Sequence, residues 1–313
     1  MAQGSRSSSV EPLSIGNIVS SGFQLYREKF KEYFPIGLVA VGWSLLPILG
    51  MIVLGLIVAL IIGATQQSTT ASGIGVFGGI ALIVLAVFCA AKSLANSALI
   101  ARLAFGELKN EPEATTDARR FVNSRKWSFL AAWIWVALIA FGLVLGFYLV
   151  AGLIGFAAFS AGSGFIGGLL LLVIGLVATA GGFWLSARLF AAEVPLAIEP
   201  QMMALQSVQR FWSLTKGNVW RVFVVLLITF LITLPISLIA QFISIIPQGL
   251  VLGLLRDNPE ALAIGNALSS LISFAISVLF SVLVLPLWQI IKAAVYYDLR
   301  TRQEGFGLNL RDR

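Results

Sequence analysis

The residue best placed to do chemistry is Lys92, which interrupts the apolar stretch VLAVFCAAKSLANSALIAR from Val84 to Arg102. A lysine at the centre of a membrane-spanning helix costs about 2.5 to 3.5 kcal/mol on insertion scales, so it should face protein or water rather than lipid tails. Asn96 lies one turn further along the same helix face, with Ser93 and Ser97 beside it. The sequence therefore indicates an intramembrane polar site formed by Lys92 and Asn96.

The direction of this helix bears on what Lys92 can reach. Side chains lean toward the N-terminus of their helix, and this helix is predicted to run from outside to inside, so Lys92 should lean toward the middle of the bilayer. The nearer surface is about ten residues away, roughly 15 Å, so the ammonium group should not reach it easily. Three roles stay open for Lys92. It is a structural residue satisfied by hydroxyls, free carbonyls or a lipid phosphate, or it lies on a substrate or ion path, or it contacts a partner.

The composition identifies the class of protein. Of 313 residues, 58% are hydrophobic and 11% are charged, and the mean hydropathy is +0.95. Soluble proteins carry about 25% charged residues, so this composition predicts an integral membrane protein. With no histidine and the single cysteine Cys89, the chain has no internal disulfide, none of the usual zinc or copper ligand sets and no imidazole for acid–base catalysis. We therefore predict no catalytic residue, no metal and no cofactor.

The hydropathy pattern predicts an all-α, polytopic membrane protein. The membrane domain covers residues 14–294, after a disordered tail over 1–13 and before a cytoplasmic tail over 295–313; no cleaved signal peptide is evident. Pro47 falls inside the first span, where a tilt or a kink is expected. The six predicted transmembrane helices lie at about 36–63, 74–101, 128–159, 165–191, 219–246 and 267–294.

Three repeats, each an amphipathic helix followed by a hydrophobic hairpin, account for the whole domain. The first amphipathic segment runs from Ser14 to Phe34 and should lie on the membrane surface. The second is a short helix capped by Thr115 or Thr116, with Phe121 and Val122 against the membrane. The third, within 192–217, has one apolar side formed by Leu205, Val208, Trp212 and Thr215. Parallel repeats of this kind surround a central cavity or pack as a bundle.

The ends of the even-numbered spans also correspond between repeats. The segments SALIARLAF, WLSARLFAA and WQIIKAAVY place Arg102, Arg188 and Lys292 alike. Glu193, which follows the fourth span, either reaches a cation on another helix, Lys92 among them, or is an ordinary interfacial carboxylate like Glu199.

Pairs of glycines at helical spacing, such as Gly142 and Gly146, favour close helix packing within the chain or dimer formation. The segment GIGVFG fits a dinucleotide-binding pattern but follows no strand, so we assign it no nucleotide.

Basic residues predict the orientation. The four connections on one side carry four, six, four and five Lys or Arg residues, whereas the three opposite loops carry only Arg256. By the positive-inside rule both termini are cytoplasmic. The net charge of +7 thus follows the membrane, and no nucleic acid is expected.

These basic residues mark topology alone or also attract anionic headgroups, at about 1 kcal/mol each. The candidate lipid contacts are Arg27, Lys29, Arg102, Arg119, Arg120, Arg188, Lys216, Arg221, Lys292 and Arg300.

Two boundary segments carry a family resemblance. The segment YYDLRTRQEGFGLNL after a span containing LPL, and PLSIGNIVSSGFQLYREKF before the first span, resemble the membrane-domain family of glycerophosphoryl diester phosphodiesterases. The resemblance covers nearly the whole chain and implies a six-span bacterial protein in a lipid setting. In some members this domain precedes a catalytic barrel that uses histidines, acidic residues and a metal. Since the chain has no histidine, no catalytic residue is carried over.

These patterns favour a non-enzymatic function. We expect a membrane scaffold or accessory factor that engages anionic lipid, a partner protein or a second copy of itself. The alternative is a transporter or channel in which Lys92 and Asn96 bind a small anionic solute in a central cavity. A lipid-modifying enzyme is a third hypothesis, disfavoured by the missing acid–base residues.

Overall fold

The computed structural model describes residues 14–65, 68–256 and 258–304. The predicted disordered tail over 1–13 and the last part of the predicted C-terminal tail, 305–313, lie outside these ranges. Within them the chain forms α-helices and no strand. The helices are α1 (Ile15–Glu28), α2 (Phe30–Thr65), α3 (Ser68–Leu108), α4 (Thr115–Ser124), α5 (Lys126–Ser160), α6 (Gly164–Leu189), α7 (Val194–Ile198), α8 (Ala204–Leu214), α9 (Val219–Leu255) and α10 (Pro259–Glu304).

Six of these helices are long and apolar enough to cross a membrane, namely α2, α3, α5, α6, α9 and α10. The prediction of an all-α, multi-pass membrane protein is therefore confirmed. Helix is the expected form, because a segment surrounded by lipid must satisfy its backbone N–H and C=O groups internally. The element order also repeats three times, since one or two short helices precede each pair of long ones.

Several helix ends differ from the sequence prediction. The outer loop expected over 247–266 is mostly helical, because α9 continues through Pro247 to Leu255 and α10 begins at Pro259. The apolar run after Pro247 prolongs the helix, since an open loop of such residues would expose unsatisfied backbone groups to lipid. At the other end of α10 the helix continues to Glu304, past the predicted span end at residue 294.

The turn between α5 and α6 lies where it was expected. Gly162 has φ +67° there, a left-handed conformation that glycine adopts without a steric penalty. The left-handed residue allows a short turn between the end of α5 at Ser160 and the start of α6 at Gly164.

Burial is unevenly distributed along the even-numbered long helices. In α3, Ile83 and Val84 are exposed, whereas Cys89, Ala95 and Ile100 are buried. The same change occurs in α6, from exposed Leu176 to buried Leu185, and in α10, from exposed Leu279 to buried Ile290. The first part of each helix thus presents apolar side chains suited to lipid tails, and the last part belongs to a protein core.

The chain forms two compact units. Among the described residues, unit A consists of 22–65, 68–130, 229–256 and 258–290, and unit B consists of 14–21, 131–228 and 291–304. Unit A contains the α2–α3 hairpin together with α4, and unit B contains α6, α7, α8 and the end of α10.

Close helix contacts use glycines next to the ones expected. A Cβ atom added to Gly167 would lie 2.6 Å from Ala158 Cβ, and one added to Gly78 would lie 2.5 Å from Leu54 Cδ1. At Gly142, Gly146 and Gly168, by contrast, an added Cβ would meet no described atom within 4 Å. Tight packing in the described ranges therefore depends on which helix face a glycine occupies as well as on spacing.

Candidate functional site

Lys92 in unit A is held at the junction of α4 and α5. Its ammonium group donates a hydrogen bond to Asn123 Oδ1 at 3.2 Å and lies 5.9 Å from the ring centroid of Trp43. Asn123 is near the end of α4, and α5 begins at Lys126. The side chain therefore reaches the level at which α5 starts, rather than pointing away from it as the helix direction predicted.

The length of α3 accounts for this position. The apolar stretch from Ile74 to Ala91 is roughly 27 Å long at about 1.5 Å per residue, which is close to the thickness of the hydrocarbon core. Lys92 follows this stretch directly, and the helix then continues through a buried segment to Leu108. An interfacial lysine can satisfy its charge without crossing the apolar layer.

The Asn96 side chain bonds the backbone of Lys92 and not the Lys92 ammonium group. The Asn96 amide donates to the backbone carbonyl of Lys92 at 2.8 Å, and Ser97 donates to the carbonyl of Ser93 at 3.1 Å. These bonds stay within the α3 helix, as is common for short polar side chains. The structure thus places the two predicted residues next to each other but gives Asn96 a local role.

A second lysine, which the sequence reasoning did not select, completes the cluster around Lys92. Lys126 Nζ lies 4.8 Å from the ring centroid of Phe88 and 5.8 Å from that of Trp127. Phe88 also contacts the Trp43 and Trp127 rings, with centroid distances of 5.9 and 6.3 Å. We call Lys92, Asn123, Lys126 and the three rings the two-lysine site. The spacing of Phe88 and Lys92 on one helix face was a usable signal, but the approach of Lys126 depends on the fold.

Some other basic residues of unit A form ion pairs with carboxylates. Arg102 donates to both oxygens of Glu113, at 2.6 and 3.0 Å, and its guanidinium lies 3.9 Å from the ring centroid of Phe121. Lys29 pairs with Glu107 at 2.8 Å, and this hydrogen bond together with the charge of Glu107 raises the pKa of Lys29. These cations are therefore engaged within the protein.

The α4 helix differs in detail from its prediction. Ala114 occupies the N-cap position and no side chain caps the helix, so Thr115 and Thr116 do not fill the predicted role. The Thr115 hydroxyl instead donates to Glu32 at 2.8 Å. Val122 is buried in the protein and does not face the membrane. At the end of this helix, the partial burial of Arg125 and the nearby charge of Arg102 lower the pKa of Arg125.

Unit B holds its basic residues in an ion-pair network. Arg221 donates to both oxygens of Asp298 at 2.8 and 3.3 Å. Lys292 bonds Glu193 at 2.5 Å, so Glu193 does reach a cation, and that cation is Lys292. The network continues at the end of α10, where Arg300, Arg210, Tyr296, Glu199 and Glu304 contact one another.

Arg188 in unit B is held by aromatic rings and by the backbone. Its guanidinium lies 5.2 Å from the ring centroid of Trp184 and 4.7 Å from that of Trp212. The group also donates to the Trp212 carbonyl at 2.8 Å and to the Thr215 hydroxyl at 3.2 Å. This arrangement attaches the end of α6 to α8, which makes Arg188 a structural cation.

Four candidate lipid contacts remain exposed. Among the described residues, no ion pair occupies Arg27, Arg119, Arg120 or Lys216. Two of them, Arg119 and Arg120, lie on α4 next to the buried Ala118. Two of the four exposed cations are thus adjacent residues on one helix, α4.

The cavities described in unit B have a different character. A groove of about 410 Å³ between α5 and α6 is lined by Phe147, Tyr148, Ile174 and Thr179 among other residues, and its lining is mostly apolar. A neighbouring groove of about 450 Å³ along the same helices is lined by apolar residues. Neither groove presents a cation to an anionic solute.

The described residues contain no metal-binding cluster, and the chain matches no known protein. No group of three or more His, Cys, Asp or Glu residues that could hold a metal occurs in the described part of the chain. No family model, no curated protein and no solved structure matches this chain. The resemblance to the membrane-domain family of glycerophosphoryl diester phosphodiesterases therefore stays a prediction.

Proposed function

We propose that this chain is a non-enzymatic membrane scaffold or accessory factor that binds anionic lipid through the basic face of α4. The observation that carries this proposal is that α4 has one buried face and one exposed basic face. Ala118 and Val122 are buried against the protein, while Arg119 and Arg120 on the other side are exposed and unpaired within the described ranges. An amphipathic helix with free cations on its outer face suits anionic headgroups.

The contrast between paired and exposed basic residues supports the same function. Arg102, Arg221 and Lys292 neutralise carboxylates within the chain, so their role is structural. Within the described part of the chain, Arg119 and Arg120 have no such partner, which leaves them available to a lipid or to an acidic surface of a protein partner. We place the chain in the cytoplasmic membrane of a bacterium with both termini in the cytoplasm, because the basic connections fall on one side of the spans.

The test is the composition of the lipid shell. The protein is reconstituted with equal amounts of phosphatidylglycerol and phosphatidylcholine, extracted mildly, and the retained lipids are quantified by mass spectrometry. We expect enrichment of phosphatidylglycerol, reduced about fivefold for each of Arg119→Gln and Arg120→Gln, since one basic residue contributes about 1 kcal/mol. Arg256→Gln, which removes one charge from the opposite loops, is the matched control. Equal enrichment in the α4 variants and the wild type would refute the proposal.

A transporter of a small anionic solute is the second candidate function. It is favoured by Lys92, whose ammonium group has no carboxylate partner among the described residues. Solute flux in proteoliposomes that Lys92→Leu abolishes would support transport. Equal leakage in both proteins would count against it.

A further inference from the structure

We propose that the two-lysine site binds one phosphate group, carried by a phospholipid headgroup or present as free phosphate. The ligand group would lie between the ammonium groups of Lys92 and Lys126, beside Asn123. This site is separate from the exposed face of α4, and it extends the proposed function from a general attraction of anionic lipid to a defined ligand group. All of its residues belong to unit A.

The first argument is charge. Neither Lys92 nor Lys126 forms an ion pair with any described carboxylate, although both are only partly exposed. Lys92 lies over Trp43 and Lys126 over Phe88 and Trp127, and Phe88 contacts both tryptophans, so the two like charges lie against one aromatic cluster. Like charges repel, and partial burial makes each charge more costly. An anion between them removes both penalties.

The second argument is the supply of hydrogen-bond donors. An ammonium group has three N–H donors. Lys92 uses one of them on Asn123, and Lys126 has no hydrogen-bond acceptor among the described residues. Cation–π contacts contribute about 0.5 to 1 kcal/mol at exposed sites and leave these donors unsatisfied. A phosphate group, with its several acceptor oxygens, satisfies them.

The third argument is depth. Lys92 follows an apolar stretch of roughly 27 Å, close to the full hydrocarbon thickness. Trp127 is 51% exposed, and tryptophan side chains favour the level of the headgroups at membrane interfaces. A hydrocarbon core that begins at Ile74 would therefore end beside Lys92, next to the level of the lipid phosphates.

The experiment is a lipid titration of the purified full-length protein followed by native mass spectrometry. Phosphatidylglycerol and phosphatidylcholine are titrated separately against the wild type, Lys92→Gln, Lys126→Gln and the control Lys31→Gln. Lys31 is an exposed lysine at the start of α2, so its replacement removes the same charge outside the site. We expect each site variant to bind phosphatidylglycerol about tenfold more weakly, as for a lost charge-assisted hydrogen bond, and the control to match the wild type. Equal affinities in all four proteins would overturn the proposal.

Inorganic phosphate distinguishes the two sources of the ligand. If millimolar inorganic phosphate displaces phosphatidylglycerol from the wild type, the site accepts free phosphate. If phosphatidylglycerol binds in a lysine-dependent manner and inorganic phosphate does not displace it, the ligand is the headgroup. Absence of lysine-dependent binding in both experiments rejects the site.

Asn123→Asp separates loss of binding from loss of folding. This change places a carboxylate at the position that now accepts a hydrogen bond from Lys92 at 3.2 Å. The melting temperature should be retained or raised, while phosphatidylglycerol binding falls because the added charge repels phosphate. Unchanged binding in this variant would contradict the proposal. Unchanged lipid enrichment in the Arg119 and Arg120 variants, together with lysine-dependent binding here, would refute only the proposed function of α4.

Discussion

Asp298 is a charged residue in a buried position. Its side chain is 1% exposed, and it accepts hydrogen bonds from Arg221 on α9 and from Arg302 one turn further along α10. A buried carboxylate is tolerated because these two guanidinium groups replace the water it has lost. Asp298 therefore attaches the end of α10 to the start of α9 within unit B.

Removing this carboxylate should destabilise the protein strongly. We predict that Asp298→Ala lowers the free energy of unfolding by about 3 kcal/mol, because Arg221 is left with a partly buried, uncompensated charge. Thermal unfolding in detergent, followed by circular dichroism, measures the effect. Asp117→Ala removes an exposed carboxylate on α4 and should change stability little. A melting temperature for Asp298→Ala equal to that of Asp117→Ala would contradict the role of this ion pair.

At the level of residues, the sequence identified a charge but not its partners. Lys92 stood out because a lone lysine in an apolar stretch is costly. Its contact Asn123 lies 31 residues further along the chain, in a segment whose position depends on tertiary packing. The same reason explains why Lys126 was overlooked, since a lysine beside a tryptophan at a span boundary is common and only the fold brings it to Phe88.

The α5–α6 hairpin offers a direct test of helix packing. Gly167 and Gly168 are adjacent on α6, yet an added Cβ would meet Ala158 at 2.6 Å from the first and no described atom within 4 Å from the second. The α5 helix can approach this face only because Gly167 has no side chain. Gly168 lies on another face and makes no such contact.

We predict opposite effects of alanine at these two positions. Gly167→Ala should lower the free energy of unfolding by about 1 to 3 kcal/mol, the usual cost of overpacking, because Ala158 belongs to a rigid helix and cannot move aside. Gly168→Ala should be neutral or stabilising by up to about 1 kcal/mol, since alanine favours helix over glycine. Thermal unfolding of both variants under identical conditions provides the comparison. Equal destabilisation by both changes would refute the packing assignment.

The elements were predictable in kind but not at their ends. The number of long helices followed from hydropathy, because lipid requires long apolar helices. Their ends did not follow, since α3 continues to Leu108 and α10 to Glu304. Those extensions are amphipathic segments whose apolar side is buried by other parts of the protein, and hydropathy does not report that kind of burial.

The distribution of burial is a property of the whole chain. In both units most exposed large apolar side chains lie in the long helices, and much of the buried core lies toward the C-terminal ends of α3, α6 and α10. The basic connections follow or adjoin these ends, so charge and core occur together along the sequence. This coupling explains why topology-marking cations such as Arg102 and Lys292 also hold the fold together.

The orientation in the membrane can be tested on the intact protein. An even number of crossings puts both termini on one side, and the excess of basic residues on that side predicts that it is the cytoplasm. We expect green fluorescent protein fused to the C-terminus to fluoresce, because it folds in the cytoplasm. Alkaline phosphatase, which is active only outside the cytoplasm, should be active when inserted at Gly162 in the α5–α6 turn and inactive when fused to the C-terminus. An active phosphatase at the C-terminus would show that the orientation is the opposite of the predicted one. The two-lysine site and the basic face of α4 would then lie on the outer side of the membrane.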